Sequence, residues 1–257
     1  MFNKLVEELA VCGFNAVRAI AEHHPETINR FFLTEERLPL FTDLCKNLAD
    51  RKRPYKICES EELEKVCKSS HHQGVAVMIS VPESVPLGME DLDLWCNESK
   101  TGVVLHSVGN DHNLGAIVRS AAFFDAHFVV ISELDDYARL TTAAYRVAEG
   151  GFEHVCVRQV KRTVSFLRDA AKKLIVIGTD PRARLRIRDL PSVLGKKNGV
   201  NGKRKGIVLV VGNEEKGLPE EIKDCCTALM RVPGTGNIES LNVAQAATLF
   251  LHEIYES

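Results

Sequence analysis

The chain has 257 residues, 45% of them hydrophobic, and a formal net charge of −2 at pH 7. This length and composition predict one large domain or two small ones, each with a hydrophobic core. The near-neutral charge argues against a uniformly basic nucleic-acid-binding protein, and no apolar run approaches the roughly 18 residues of a membrane-spanning helix.

The N-terminal sequence and the cysteines indicate a cytoplasmic protein. The first residues, MFNKLVEEL, are mixed and amphipathic, unlike a secretory signal peptide. The eight cysteines form no CxxC pair, and neither His-His pair has a cysteine pair at a zinc-like spacing. We therefore expect reduced, mostly buried thiols and no bound metal. Because Met1 lies close to the first predicted helix, the chain is expected either to be truncated or to begin without a leader.

Residues 1–82 predict a small α/β domain. Helices are predicted at 16–22, 38–49 and 60–67, and short strands at 30–33, 55–58 and 74–80. Their alternation favours a three-layer α/β sandwich. Residues 83–100, with their prolines and acidic residues, are predicted to be a linker. Trp95 in this linker either covers the core of the second domain or marks an interface.

Residues 101–257 predict a second, larger α/β domain. Buried strands are predicted at 102–108, 128–131, 174–179 and 207–211, and helices after Asn113, at 164–173 and after Ser240. Two glycine-rich loops, GNEEKGL at 212–218 and PGTGNIESLN at 233–242, follow the last strand and precede the last helix. Glycine lets a ligand approach the backbone closely, and Ser240 is placed to cap the last helix.

Three segments of this second domain resemble the motifs of the SpoU (TrmH) family, in the family's order: NLGAIVR at 113–119, GNEEKGL at 212–218 and PGTGNIESLNV at 233–243. The resemblance implies an RNA ribose 2′-O-methyltransferase that uses S-adenosylmethionine and acts on tRNA or rRNA. It also implies a SPOUT-type fold, in which a parallel sheet with flanking helices is threaded into a C-terminal trefoil knot, and a homodimer formed through this domain. GFNAV at 13–17 and HQGV at 72–75 are similar to the family's ribosomal-protein-like RNA-binding domain.

The family's site residues carry over to matching positions here. The resemblance implies that the catalytic residues are Arg119, Asn113, Glu214, Ser240 and Asn242. It implies that the residues around the cofactor are Gly212, Gly217, Leu218, Val232, Gly236 and Leu241.

Several roles stay open from the sequence. A free guanidinium is a poor base, so Arg119 either orients the reacting group through a phosphate or acts as base only in the bound complex. Asn113 is expected either to cap its helix or to position Arg119 and the loops. Glu214 is expected to pair with Arg119 or another cation, or to be solvated.

Three positions depart from the family pattern: Asp125 and Glu149 replace small residues, and Ala244 replaces a serine. Aspartate tolerates the left-handed conformation better than most residues, so the turn at Asp125 is expected to survive. These departures keep a second function open, that of an RNA-binding or ribosome-associated protein that has the fold without turnover.

The basic residues are concentrated in one part of the chain. Residues 158–205 hold 15 Lys or Arg and 3 Asp, although the whole chain is slightly acidic. Such a cluster predicts a local surface that attracts phosphates, unless it is only a solvated face. The candidate RNA-binding residues in it are Arg182, Arg184, Arg186, Arg188, Lys203, Arg204 and Lys205.

Overall fold

The computed structural model describes residues 8–83, 85–132, 139–195 and 205–257. Its strands are β1 (Glu8–Cys12), β2 (Ile28–Leu33), β3 (Tyr55–Ile57), β4 (Val75–Ser80), β5 (Thr101–Leu105), β6 (Phe128–Ser132), β7 (Cys156–Val160), β8 (Ile175–Thr179), β9 (Leu185–Arg186), β10 (Ile207–Val211) and β11 (Ala228–Arg231). Its α-helices are α1 (Phe14–His23), α2 (Thr42–Asp50), α3 (Ser60–Cys67), α4 (Met89–Asn97), α5 (Asp111–Phe123), α6 (Thr142–Ala148), α7 (Thr163–Ala170), α8 (Leu190–Leu194), α9 (Glu220–Lys223) and α10 (Val243–Glu256). None of the helices within these ranges is long and apolar enough to cross a membrane.

The chain divides into two compact units. Met1–Glu83 groups with Leu140–Glu153, and Ser84–Arg139 groups with His154–Ser257.

The N-terminal unit contains a four-stranded sheet in the order β1-β4-β2-β3. β4 runs antiparallel to β1 and β2, and β3 runs parallel to β2 at the edge. Successive side chains of a strand face opposite layers, so Val11 and Val77 pack with α1 and α2, whereas Cys12 and Ala76 pack with α3. This arrangement confirms the predicted three-layer sandwich.

Residues 140–153 belong to this N-terminal unit, although the sequence assigned them to the second domain. Thr142 Oγ1 donates to the carbonyl of Ala10 (2.6 Å), and Tyr145 is buried in the unit's core. Glu149 ends α6 with a φ of +46° and accepts a hydrogen bond from Asn15 Nδ2 (3.1 Å). Glu149 therefore adopts this left-handed conformation although it is bulkier than the small residue typical of the family. Its hydrogen bond with Asn15 stabilises that conformation.

The C-terminal unit is built on a seven-stranded sheet in the order β7-β6-β5-β10-β8-β11-β9. Every neighbouring pair is parallel, and β5, β6 and β10 are buried along their whole length. Strands covered by helices on both faces read as continuous apolar runs, which is why their sequences show no alternation. The parallel sheet with flanking helices is confirmed, and the trefoil knot stays a prediction.

The segment predicted as a linker contains α4 and packs on the C-terminal unit. Trp95 is fully buried, stacks on Phe128 with ring centroids 4.8 Å apart, and donates its indole N–H to the carbonyl of Ile207 (3.0 Å). The first turn of α4 is capped by Asp91, which accepts from the Gly88 N–H (2.9 Å). Trp95 is therefore a core residue. The acidic, proline-rich composition indicated a linker, but the segment forms a packed helix.

Asp125, between α5 and β6, has a φ of +54°, so the expected left-handed turn is present.

The order of the strands positions the candidate site. β10 lies between β5 and β8, with Val211 opposite Leu105 and Val210 opposite Gly178. The loops that follow these strands therefore leave the sheet at the same level, at the carboxyl edge where open parallel sheets bind ligands.

Candidate active site

Helix α5 carries the first motif. Its cap is Asn110, whose side-chain oxygen accepts from the His112 N–H (2.8 Å). Asn113 lies in the first turn, is 9% exposed, and faces the loops of the other motifs. The sequence left open whether Asn113 caps the helix or positions the loops, and its contacts support positioning.

The second motif forms a tight turn after β10. The backbone of Asn213 pairs with Gly217, whose N–H donates to the Asn213 carbonyl (2.9 Å). Gly217 has a φ of +66°, which favours glycine. A Cβ on Gly212 would lie 2.6 Å from the carbonyl carbon and oxygen of Gly217 and 2.8 Å from the Leu218 nitrogen. Glycine is therefore required at 212 because two stretches of backbone are in contact there.

The third motif leads into α10. Asn242 caps this helix, because its side-chain oxygen accepts from the Ala244 N–H (2.8 Å). The expectation that Ser240 caps the helix was wrong: Ser240 lies two residues before the cap and is exposed. An asparagine is as good a cap as a serine, and only the observed start of the helix distinguishes them.

One hydrogen-bond network joins the three motifs. Asn113 Nδ2 donates to Glu214 Oε1 (2.5 Å), and Asn242 Nδ2 donates to Asn113 Oδ1 (3.0 Å). Asn113 is therefore the link between the turn after β10 and the start of α10. The order of donors also fixes the orientation of both amides, so Asn242 presents its oxygen to its own helix and its nitrogen to Asn113.

Arg119 lies on α5 six residues after Asn113, which is about 9 Å along the helix axis. Its side chain is exposed, as are Glu214 and Ser240. The network thus has a buried centre at Asn113 and an exposed carboxylate at Glu214. The contacts at this edge join Asn113, Glu214 and Asn242, and Arg119 lies farther along α5. A carboxylate at this edge can hydrogen-bond to a hydroxyl that loses a proton, and a guanidinium can orient a polar substrate.

The residues assigned to the cofactor differ in exposure. Gly212 and Leu218 are buried, Gly217 and Val232 are half-buried, and Gly236 and Leu241 are exposed. Leu218 packs in the core of the unit, and a Cβ on Gly178 of β8 would lie 3.3 Å from it. Leu218 thus anchors the turn, while the exposed residues of the third motif remain accessible to a ligand.

The four candidate arginines of the predicted RNA surface lie in or beside β9, whereas Lys205 lies just before β10. Arg182, Arg184 and Arg188 are exposed, Arg186 is half-buried, and Lys205 is exposed. Lys203 and Arg204 lie outside the described residues. Arg182 pairs with Glu239 of the third motif, with Nη2 and Oε1 3.5 Å apart, which brings this surface beside the candidate cofactor loop.

Asp180 anchors this arginine-rich loop and was not singled out from the sequence. It accepts from Lys223 Nζ (2.8 Å) and from the Arg182 N–H (2.7 Å). Burial opposes ionisation of Asp180, but these two donors outweigh burial and hold the pKa of its carboxyl below the usual value. The Asp180-Pro181 pair was the available signal, because an Asp-Pro pair favours the start of a turn.

Ala244, the third departure from the family pattern, is 6% exposed in the first turns of α10. Its carbonyl accepts from Thr248 Oγ1 (2.8 Å), and Thr248 Oγ1 lies 2.7 Å from Ser120 Oγ of α5. A hydroxyl pair therefore ties α10 to α5 one turn beyond the position where the serine is absent. Among the described residues, no group of three or more His, Cys, Asp or Glu could hold a metal ion.

Comparisons with known proteins agree with these motifs. A sequence model described as the SpoU rRNA Methylase family matches residues 100–252, and one described as RNA 2′-O ribose methyltransferase substrate binding matches residues 10–85. The chain is 29% identical over 254 residues to an uncharacterized tRNA/rRNA methyltransferase, YfiF, of Escherichia coli O157:H7, covering 96% of this chain and 68% of that protein. It is 27% identical to the 23S rRNA (guanosine-2′-O-)-methyltransferase RlmB of Bordetella pertussis, covering 95% of each.

Among solved structures, the AdoMet-bound rRNA methyltransferase of Sinorhizobium meliloti superposes with a TM-score of 0.76 at 22% identity. The match covers 97% of this chain and 87% of that one. At this identity the likeness establishes the shared fold.

Proposed function

We propose the following function because this chain belongs to the SpoU rRNA methylase family. It is an RNA methyltransferase that transfers a methyl group from S-adenosylmethionine to a ribose 2′-hydroxyl in tRNA or rRNA. The observation that carries the proposal is the Asn113–Glu214–Asn242 network, because it joins all three family motifs at the carboxyl edge of the sheet. The match of residues 10–85 to a substrate-binding domain supports RNA recognition by the N-terminal unit.

Methyl transfer from a sulfonium to a hydroxyl is an in-line displacement, so the protein must hold donor and acceptor in line and in contact. The loops 212–218 and 232–242 would hold the cofactor. A Cβ at Gly217 or Gly236 would meet no atom of the described residues within 4 Å, so the space beside both glycines is open to a ligand. When bound, S-adenosylmethionine supplies the electrophilic methyl group.

Arg119 would orient the ribose by binding the phosphate next to it. A guanidinium stays protonated in proteins and pairs with a phosphate through two donors. Glu214, held by Asn113, would present a fixed acceptor beside the reacting hydroxyl, and Ser240 a hydroxyl on the adjacent loop. If Arg119 instead takes the proton, an Arg119→Lys variant will show a rate that rises with pH through the lysine's titration.

RNA would bind to the exposed arginines around β9. Arg182, Arg184 and Arg188 are exposed, and Arg182 pairs with Glu239 of the third motif. Arg158, in the same basic segment, is instead held by Asp91 (3.0 Å). We therefore restrict the RNA surface to the β9 region and Lys205.

A homodimer would form through α5 and α10. These neighbouring helices expose Phe123, Leu249 and Tyr255, with 79%, 43% and 61% of each residue exposed. The ring of Phe124 packs against His252 and Tyr255, so the aromatic surface is continuous across both helices. Large exposed apolar patches mark protein interfaces, and two-fold dimers are the commonest assembly. We expect this dimer in the cytoplasm, with its RNA substrate.

Two measurements test the activity. Calorimetry with S-adenosylmethionine measures cofactor binding, and transfer of a labelled methyl group to total RNA measures catalysis. Binding of RNA without cofactor binding or transfer would support the other candidate, an RNA-binding protein that keeps the fold without turnover. The turn at Asp125 and the capped α10 are intact, so transfer is the expected outcome.

A further inference from the structure

Asn213, the residue before Glu214, makes three side-chain hydrogen bonds. Its Oδ1 accepts from the N–H groups of Glu215 and Lys216, both at 3.0 Å. Its Nδ2 donates to the carbonyl of Ser107 (2.9 Å), in the loop between β5 and α5. One side chain therefore shapes the turn of the second motif and attaches that turn to the loop that leads into the first.

These bonds close a ring around the site. From Ser107 the chain runs to Asn113, whose amide donates to Glu214, and Glu214 is covalently joined to Asn213. Asn213 then returns to Ser107. Two hydrogen bonds, Asn113–Glu214 and Asn213–Ser107, connect the turn to the segment 107–113. With the Asn113–Glu214 bond alone, the turn could rotate about that single contact.

The backbone of Ser107 shows that the loop is held in an unfavourable conformation. Its φ is +54°, in the left-handed region that a serine rarely adopts. Such residues persist where the surrounding contacts over-determine them, and they cluster at functional sites. The bond from Asn213 to the Ser107 carbonyl is a contact that holds the peptide in this orientation.

We infer that Asn213 is a positioning residue for methyl transfer: it sets the place of the Glu214 carboxylate relative to Asn113 and acts through Glu214 rather than on substrate or cofactor. This inference rests on the proposed function. It assigns a role to the one polar residue of the GNE segment that the sequence analysis gave none.

The informative substitution is Asn213→Asp. Aspartate is nearly isosteric and keeps both acceptor contacts to Glu215 and Lys216, but it cannot donate to the Ser107 carbonyl and places a negative oxygen against it. The turn should persist while its attachment to the Ser107 loop is broken. Asn97→Asp, an exposed asparagine at the end of α4, is the matched control for the same chemical change.

We expect the single-turnover rate of methyl transfer to RNA to fall about 10- to 100-fold in Asn213→Asp, because a misplacement of about 1 Å can cost 100-fold. The dissociation constant for S-adenosylmethionine should change less than this rate, because aspartate keeps the acceptor contacts to Glu215 and Lys216 that shape the turn. Asn97→Asp should match the wild type in both measurements.

A double-mutant cycle tests whether Asn213 acts through Glu214. If Asn213 acts through Glu214, adding Asn213→Asp to a Glu214→Gln variant should cost less than about threefold, because residues that act as a unit are not additive. Losses that multiply would show that Asn213 acts elsewhere and would overturn the inference.

A readout without turnover separates this inference from the proposed function. The side-chain amide resonances of Asn113 should shift in Asn213→Asp but not in Asn97→Asp. Absence of methyl transfer by the wild-type protein would refute the proposed function, and the Asn113 resonances would still decide whether Asn213 positions the contact. Unchanged Asn113 resonances, or a rate within about twofold of wild type, would refute the positioning role.

Discussion

Gly212 offers a direct test of where the cofactor binds. A Cβ at this position would lie 2.6 Å from the backbone of Gly217. Ordinary carbon contacts are about 3.5–4.0 Å, so the turn would have to move by about 1 Å. Backbone cannot rotate away as a flexible side chain can, so Gly212→Ala should displace the second motif. Leucine would add a larger collision, so alanine is the more informative change.

The expected loss of stability follows from this geometry. Overpacking costs about 1–3 kcal/mol, of which alanine recovers about 0.4–1 kcal/mol by restricting the unfolded chain. A net loss of about 1–2 kcal/mol should lower the Tm by about 2–8 °C for a chain of this size. If the turn forms part of the cofactor pocket, affinity for S-adenosylmethionine should fall at least tenfold, which corresponds to about 1.4 kcal/mol.

Calorimetry and thermal unfolding on two further variants complete the test. Gly109→Ala is the matched control, because nothing lies within 4 Å of its Cβ position and its φ is not positive. Gly217→Ala also meets no atoms but has a φ of +66°, so it reports backbone strain without collision. A folded Gly212→Ala protein that binds the cofactor with wild-type affinity would refute the placement of the pocket at this turn.

Four other predictions concern catalysis, assembly, RNA and pH. Arg119→Ala should abolish methyl transfer while changing cofactor affinity little; near-normal turnover would remove Arg119 from the mechanism. Light scattering should give twice the 28.5 kDa chain mass, and Phe123→Glu should favour the monomer by placing a charge in the α5–α10 surface; a wild-type monomer would contradict this assembly. Neutralising Arg182, Arg184 and Arg186 together should weaken RNA binding and reduce its log–log salt slope by roughly 0.7–0.9 for each phosphate that the protein no longer neutralises; an unchanged slope would move the RNA surface elsewhere. Burial raises the pKa of the Glu153 carboxyl in the folded protein. The folded state is therefore favoured while this carboxyl is protonated, and that contribution to stability is lost as pH rises through the raised pKa. Glu153→Gln should raise the Tm at pH 8 but leave it unchanged below about pH 4.3.

The sequence anticipated the elements whose signal is local. The apolar run of β10 and the amphipathic pattern of α10 both correspond to the observed elements. Burial on both faces of a strand leaves a continuous apolar run, and burial on one face of a helix leaves a periodic pattern. The left-handed turn at Asp125 was expected from the family's small residue at this position and from the tolerance of aspartate for that conformation. The prolines and acidic residues before Trp95 led to the prediction of a linker where α4 is found. Composition does not show that a short helix has a core to pack against.

The chemistry of the site can be read from the amino acids alone: the three motifs, their order, and the residue types available to bind a cofactor and a ribose. How the motifs meet depends on the folded chain. Asn113 and Glu214 are 101 residues apart, and Asn113 and Asn242 are 129 apart, yet each pair is in hydrogen-bond contact. The insertion of β10 between β5 and β8 creates those contacts, because it brings the loops after distant strands to one edge of the sheet. Local propensity carries no information about strand order, so the cap at Asn242, the ring through Asn213 and the close approach at Gly212 could be recognised only in three dimensions.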